Sequence, residues 1–302
     1  MTTPALQEHS MAFVCQGEQL VGVISLPTQP ASDAAPARAT DLALLVVVGG
    51  PQVRTGSHRQ FTQLCRAVAD AGVPAMRFDV RGMGDSTGPL RSFEHIGDDI
   101  SAALDALQAR LPGVKRVVLW GLCDGASAAL MYLHEHHDPR ITGLVLLNPW
   151  IRSAQTLARA HIKHYYWQRL RQPDFWRKLA DGGVALQAVK GLWANLKASR
   201  RTQGNASGTA ALPFQQRMLL GAEGFEGPVL WVLSGQDLTA REFAEHVDLE
   251  PRWQQLMRRR HLQRLDLPDA DHTFSTSPQG EQAVQATLRW LQAMLTQDGA
   301  AA

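Results

Sequence analysis

Val117-Val118-Leu119-Trp120-Gly121-Leu122-Cys123-Asp124-Gly125-Ala126-Ser127-Ala128-Ala129 decides how the rest of the chain is read. An apolar, β-type run enters Gly-x-Cys-x-Gly, and a small-residue helical segment follows at once. This is the strand-turn-helix pattern G-x-S-x-G, which exposes a nucleophile at its apex, with Cys in place of Ser. A turn so tight needs residues without side-chain bulk two positions to either side of the apex. Gly121 and Gly125 satisfy that need, and Ala126, Ala128 and Ala129 let the helix lie close under the strand. Cys123 then falls at a helix N-terminus, where N–H groups and the helix dipole favour a thiolate.

The rhythm extends to both sides. Apolar runs of strand length occupy 42–48, 74–78, 116–120, 141–147, 229–233 and 262–267. Helix-length segments at 58–70, 94–110, 125–136, 241–260 and 281–295 alternate with them. The runs are nearly all apolar, as strands buried on both faces of a parallel sheet must be. The alternation predicts an α/β fold, a mostly parallel central sheet with helices on both faces. Runs at 9–15 and 20–26, separated by Gln16-Gly17-Glu18-Gln19, predict a hairpin added to one edge. Residues 31–40 form a small-residue linker containing Pro36.

Between 151 and 224 the rhythm stops. Residues 152–170, 174–179 and 184–198 are helical in character, and 203–209 are polar. An insertion of about 70 residues is too long for an ordinary strand connection. It predicts a helical cap at 151–224 on a core made of 1–150 and 225–302.

The chain of 302 residues has 30 Lys+Arg against 28 Asp+Glu, a formal net charge of +2. That balance excludes a globally basic nucleic-acid binder. The cap alone holds 12 Lys+Arg and 3 Asp+Glu, a net of +9, and the remainder carries −7. Tyr165, Tyr166, Trp167, Phe175, Trp176 and Trp193 are interleaved with those cations. Two readings fit: a solvated layer whose aromatics pack on the sheet, or a surface that meets an anionic ligand, an acidic partner or a lipid headgroup. On the second reading Tyr165, Trp167 and Arg169 join Gln52 as candidate substrate contacts, and peripheral membrane contact runs through the same face.

Apolar residues make up 45% of the chain and charged residues 19%, ample for a buried core. Three cysteines, Cys15, Cys65 and Cys123, cannot frame a disulfide scaffold. No apolar run approaches the roughly 20 residues that cross a bilayer. The first ten residues lack a basic flank followed by an apolar stretch. The expected setting is therefore the cytoplasm, with no transmembrane segment and no nucleic-acid partner.

A nucleophile at such an apex needs a base, and the base an orienting acid. On this arrangement the chain order is nucleophile, acid, histidine. The run 229–233 ends in Ser234-Gly235-Gln236-Asp237, and 262–267 leads into Pro268-Asp269-Ala270-Asp271-His272. Asp237 and His272 thus fall at the carboxyl ends of the right strands in the right order. Acyl transfer also needs an oxyanion hole. The N–H of Asp124 supplies one donor. The loop Gly49-Gly50-Pro51-Gln52 supplies the other, and since Pro51 has no N–H, Gly50 is the first choice and Gln52 the alternative.

The loop Asp79-Val80-Arg81-Gly82-Met83-Gly84-Asp85-Ser86 lacks the Lys-Ser/Thr ending of a phosphate-binding loop. Arg81, Asp79 and Asp85 read as scaffold ion pairs. His134, His136 and His137 would spread around a helix axis, so no metal site and no cofactor are expected.

From about residue 42 to 295 these features resemble the α/β-hydrolase superfamily. More narrowly, Val48-Gly49-Gly50-Pro51-Gln52, Ser57-His58-Arg59-Gln60-Phe61, the loop around Arg81, Leu119-Trp120-Gly121-Leu122-Cys123-Asp124 and Leu147-Asn148-Pro149-Trp150 together resemble the type 1 exosortase A system-associated hydrolases. Lys163-His164-Tyr165-Tyr166 and Phe175-Trp176-Arg177-Lys178-Leu179 fit the same family. The superfamily resemblance implies an α/β-hydrolase fold and ester-type hydrolysis. The narrower one implies a bacterial setting of exopolysaccharide synthesis and PEP-CTERM protein sorting. The chain departs from the broad pattern in having Cys123 for Ser.

The expected activity is hydrolysis of an acyl ester or thioester by Cys123, His272 and Asp237 through an acyl-enzyme. The donor is a small-molecule or carrier-bound acyl group, with an anionic donor favoured by the cap. The alternatives are acyl transfer through the same triad, plain carboxylesterase activity, and a non-catalytic scaffolding module.

Overall fold

A computed structural model of the chain describes residues 7–27, 40–50, 52–152 and 212–301. In chain order the elements are β1 (Gln7–Cys15), β2 (Glu18–Leu26), β3 (Leu42–Val47), α1 (Gln60–Asp70), β4 (Ala75–Phe78), α2 (Gly97–Arg110), β5 (Arg116–Leu122), α3 (Asp124–His136) and β6 (Ile141–Leu147). They continue with α4 (Phe214–Gly224), β7 (Val229–Ser234), α5 (Leu238–Leu249), α6 (Pro251–Met257), β8 (Leu262–Leu267) and α7 (Ser277–Ala301). The strands form one sheet in the order β1-β2-β4-β3-β5-β6-β7-β8.

From β4 to β8 the neighbours pair in parallel. The β1–β2 hairpin joins β4 antiparallel, at the edge the sequence predicts. Each residue of β3, β4 and β7 is buried, which explains why those stretches are apolar without alternation apart from Arg77 and Ser234. On one face the core is built by residues such as Ile100, Leu104, Leu130, Met218, Phe243 and Trp253 from α2 to α6. On the other, Leu64, Val68, Trp290 and Leu291 from α1 and α7 cover the sheet.

The registers bring the loops of interest to one end. Val47 lies opposite Gly121, Leu122 opposite Leu147, Leu147 opposite Val232, and Ser234 opposite Leu267. The carboxyl ends of β3, β5, β6, β7 and β8 therefore share one rim. Strand order reverses at β3–β5, the switch point where ligands bind in open α/β sheets.

Three expectations change. The helix expected at 241–260 is two, because Glu250 is extended (φ −109°, ψ 110°). Glu250 caps α6 by accepting the Arg252 N–H, and Pro251, which has no N–H, begins that helix. The β8 strand is an edge strand whose exposed residues, Gln263, Arg264 and Asp266, interrupt its apolar ones, rather than a strand buried on both faces. The expected cap, 151–224, ends too late. The chain divides into Met1–Ile151 with Phe214–Ala302, and Arg152–Pro213. Phe214–Gly224 is α4, whose Gly221 lies against the Leu130 carbonyl of α3 with no room for a Cβ. Tyr165, Trp167 and Arg169 lie outside the described residues.

Candidate active site

Cys123 stands between β5 and α3 with φ 58° and ψ −125°, a conformation an L-residue adopts only under constraint. The constraint is visible on both sides of its peptide. Its N–H donates to the Leu147 carbonyl at 2.9 Å, and its carbonyl accepts from Ala126 and Trp150 N–H at 3.1 and 3.2 Å. A Cβ on Gly121 would come within 2.6 Å of the Ala126 nitrogen, and one on Gly125 would strike the Val47 carbonyl. Glycine at both positions is thus a steric necessity. Cys123 is partly exposed, whereas Cys15 and Cys65 are buried. Burial pushes the Cys65 thiol up to about 12.

Asp237 caps α5. Its Oδ1 accepts the Thr239 N–H at 3.0 Å and its Oδ2 the Ala240 N–H at 3.2 Å. Oδ2 also lies 2.8 Å from Nδ1 of His272. Two backbone donors hold the buried carboxylate in place, and the carboxylate orients the imidazole. The hydrogen bond to Asp237, followed by one to Cys123, pushes the His272 imidazole up to about 10 against the opposing effect of burial. The structure places Cys123, His272 and Asp237 side by side at the carboxyl ends of β5, β8 and β7.

The oxyanion loop holds a surprise. Gly50 has φ +60°, and a Cβ there would lie 3.4 and 3.5 Å from the two oxygens of the Asp124 carboxyl. The Asp124 side chain therefore sits under the Gly49-Gly50 turn, beside the amide expected to bind an oxyanion. Its Oδ1 is buried with no hydrogen-bond partner. Burial pushes the carboxyl above its usual range, and the nearby N–H groups of Gly50, Asp124 and Gly125 only partly oppose this. The sequence singled out Asp124 for its N–H alone. Gln52, the alternative donor, is half-buried, and its Oε1 is buried without a partner.

A second loop fixes the first. Asp79, at 0% exposure, accepts the Arg54 N–H at 2.6 Å, pairs with the Arg54 guanidinium, and accepts the Asp85 N–H at 3.2 Å. Arg54 reaches Asp85 as well, at 2.6 Å. Arg81 makes a bidentate pair with buried Asp99, at 2.9 Å for both contacts. These groups are scaffold, as the sequence suggests, and Arg54 is the member that sequence reasoning missed. Among the described residues no group of three or more His, Cys, Asp or Glu could hold a metal ion. No described helix is long and apolar enough to cross a membrane.

Comparison with known proteins agrees with this geometry. The family model described as serine aminopeptidase S33 matches residues 43–241. Phospholipase YtpA of Bacillus subtilis is 28% identical over 112 residues, which span 36% of this chain and 40% of that protein. The esterase Pf2001 of Pyrococcus furiosus superposes with a TM-score of 0.61 at 16% identity, covering 95% of this chain and 93% of that one. Est1E of Butyrivibrio proteoclasticus, solved with ferulic acid bound, gives 0.58 at 16% identity, with 95% and 99% covered. A homologue from Coxiella burnetii, described as an α/β serine hydrolase, gives 0.52 at 14% identity, with 94% and 97% covered. Sheet order, apex, strand-end loops and family match agree: the chain belongs to the serine aminopeptidase S33 family of α/β hydrolases.

Proposed function

We propose that the chain hydrolyses acyl ester or thioester bonds with Cys123 as nucleophile, His272 as proton carrier and Asp237 as its orienter. The observation that carries this reading is the Cys123–His272–Asp237 line. Its sulfur sits on a constrained turn, and its imidazole is held at 2.8 Å by a doubly anchored carboxylate.

His272, held between Asp237 and Cys123, takes the proton of the Cys123 thiol as the sulfur becomes the nucleophile. The sulfur attacks the acyl carbonyl, and the Asp124 and Gly50 N–H groups donate to the developing oxyanion. Collapse breaks the bond to the leaving thiolate or alkoxide, which takes the proton from His272 Nε2. The neutral imidazole then removes a proton from water, and the resulting hydroxide attacks the thioester. Collapse of this second intermediate breaks the C–S bond, leaves its electron pair on sulfur and releases the carboxylic acid, with the proton taken from water still on His272. Thiolates attack thioesters and activated esters readily, which ranks these above amides.

The cap's net of +9 supports an anionic or carrier-bound donor. The resemblance to exosortase A system-associated hydrolases supports a cytoplasmic role beside exopolysaccharide synthesis and PEP-CTERM sorting. The test is to assay acyl-CoA, acyl-carrier and nitrophenyl esters side by side, with wild type and Cys123→Ala. Thioester turnover that disappears in Cys123→Ala is expected. Turnover that survives the substitution overturns the nucleophile assignment, product formed only with an added acceptor makes the chain an acyltransferase, and no turnover with any donor favours a scaffolding module.

A further inference from the structure

The segment Leu147-Asn148-Pro149-Trp150 runs off the end of β6 between the apex and the two other triad loops. On one side it holds Cys123. Leu147 accepts the Cys123 N–H at 2.9 Å, and Trp150 donates to the Cys123 carbonyl at 3.2 Å. Ser127, one turn into α3, donates its hydroxyl to the Trp150 carbonyl at 2.7 Å.

On the other side Asn148 reaches the acid and histidine loops. Its Oδ1 accepts the Ser234 N–H at 2.8 Å. Its Nδ2 donates to Ser234 Oγ at 2.9 Å and to the His272 carbonyl at 3.5 Å. Ser234 is the last residue of β7 and begins the loop that carries Asp237. Gly235 and Gln236 donate in turn to the Leu267 and Ala270 carbonyls at 2.8 and 2.9 Å, tying that loop to the one bearing His272.

Asn148 is completely buried and has φ 44°. A polar side chain after an all-apolar strand demands partners, and here every side-chain bond goes to a triad loop. The position asks for a planar group with both donor and acceptor, on a backbone in the left-handed region. Asparagine meets both demands, since a carboxylate has no donor and most L-residues resist positive φ.

We propose that Asn148 is a positioning residue for catalysis. Its carboxamide sets the Asp237 and His272 loops in register with the apex that its neighbouring peptides hold at Cys123. The proposal rests on the triad reading above and adds a fourth residue to it. Asn148 touches no reacting atom and acts through Ser234 and the His272 backbone. A displacement of about 1 Å in such a site costs on the order of a hundredfold in rate.

The test is the pH profile of Cys123 carboxamidomethylation by iodoacetamide, followed by peptide mass spectrometry. Wild type is compared with Asn148→Gly, Ser234→Ala and His272→Ala, with thermal unfolding recorded for each. Glycine adopts φ 44° freely, so Asn148→Gly removes the amide without straining the backbone. Asn148→Gly is expected to slow alkylation at pH 7 by at least about tenfold and to move the profile toward higher pH. Ser234→Ala is expected to shift it in the same direction by less, and it carries the test if Asn148→Gly does not fold. Folded variants with the wild-type profile overturn the role of Asn148. Identical profiles for wild type and His272→Ala overturn the triad reading instead.

Discussion

Asp124→Asn probes the oxyanion loop more sharply than any truncation, because it changes charge while keeping shape. In the folded chain one carboxyl oxygen is buried without a partner under Gly49-Gly50, and burial raises the group's pKa. In the unfolded chain the same group titrates near 3.9. Above that value the unfolded state is ionised while the folded state resists ionisation, so folding bears a cost. The cost starts near pH 4, grows until the folded group also ionises, and is constant beyond.

An unsatisfied buried polar group costs about 1–3 kcal/mol. Asp124 is only half-buried as a residue, so the lower half of that range, about 1–2 kcal/mol, applies. For a unit of about 150–250 residues each kcal/mol moves Tm by roughly 2–4 °C. Asp124→Asn is therefore expected to melt about 2–8 °C above wild type at pH 8, with the gap closing below pH 4. The assay is thermal unfolding by circular dichroism from pH 3.5 to 8. Removing a negative charge beside the oxyanion donors should also raise turnover at pH 8. A variant less stable than wild type at pH 8, or a gap independent of pH, would show that the carboxylate holds the Gly50 loop rather than burdening it.

Three further outcomes follow from packing and charge. Gly121→Ala should prevent accumulation of folded protein, since its methyl would lie 2.6 Å from the Ala126 nitrogen; soluble protein with a wild-type melting curve would refute the tight apex. Asp99→Ala removes the bidentate partner of the buried Arg81 guanidinium, leaving it Gln16 Oε1 at 2.5 Å and the Asp98 carboxylate at 3.7 Å, and should cost about 3 kcal/mol in urea unfolding, whereas a loss below about 1 kcal/mol would mean that these two neighbours suffice. His272 has its pKa raised in the fold, so its pairing with Asp237 stabilises fully below pH 6.5 and is lost as pH rises through about 10. The stability gap between wild type and Asp237→Asn should therefore narrow from pH 6.5 to 10, and a gap that widens would contradict the pairing.

Much of the rim was legible because its residues obey local rules. Gly121 and Gly125 mark a turn that excludes side chains, and Asp237 and His272 follow strands whose apolar runs announce themselves. The α5–α6 break was missed because the helical pattern continues across Glu250, although Pro251 was its signal. The expected end of the insertion, 224, differs from the division at Pro213 because α4 carries no local mark of belonging to the sheet unit, and its packing on α3 is a long-range contact. The carboxamide of Asn148 and the guanidinium of Arg54 act across 86 and 25 residues of chain, respectively. No local pattern encodes partners at that distance. For Asn148 the faint signal was a polar residue directly after an all-apolar strand. For the Asp124 side chain there was none, since its place depends on where the β3 loop returns.

The most direct test of the triad is to trap the acyl-enzyme. Wild type is mixed with a nitrophenyl ester, quenched in acid within seconds, and measured as intact protein and as peptides. The mechanism predicts one added acyl group on Cys123, removed by neutral hydroxylamine, and no adduct in Cys123→Ala. An acyl group on a serine such as Ser127, or turnover without any adduct on Cys123 under conditions that trap thioesters, would contradict it.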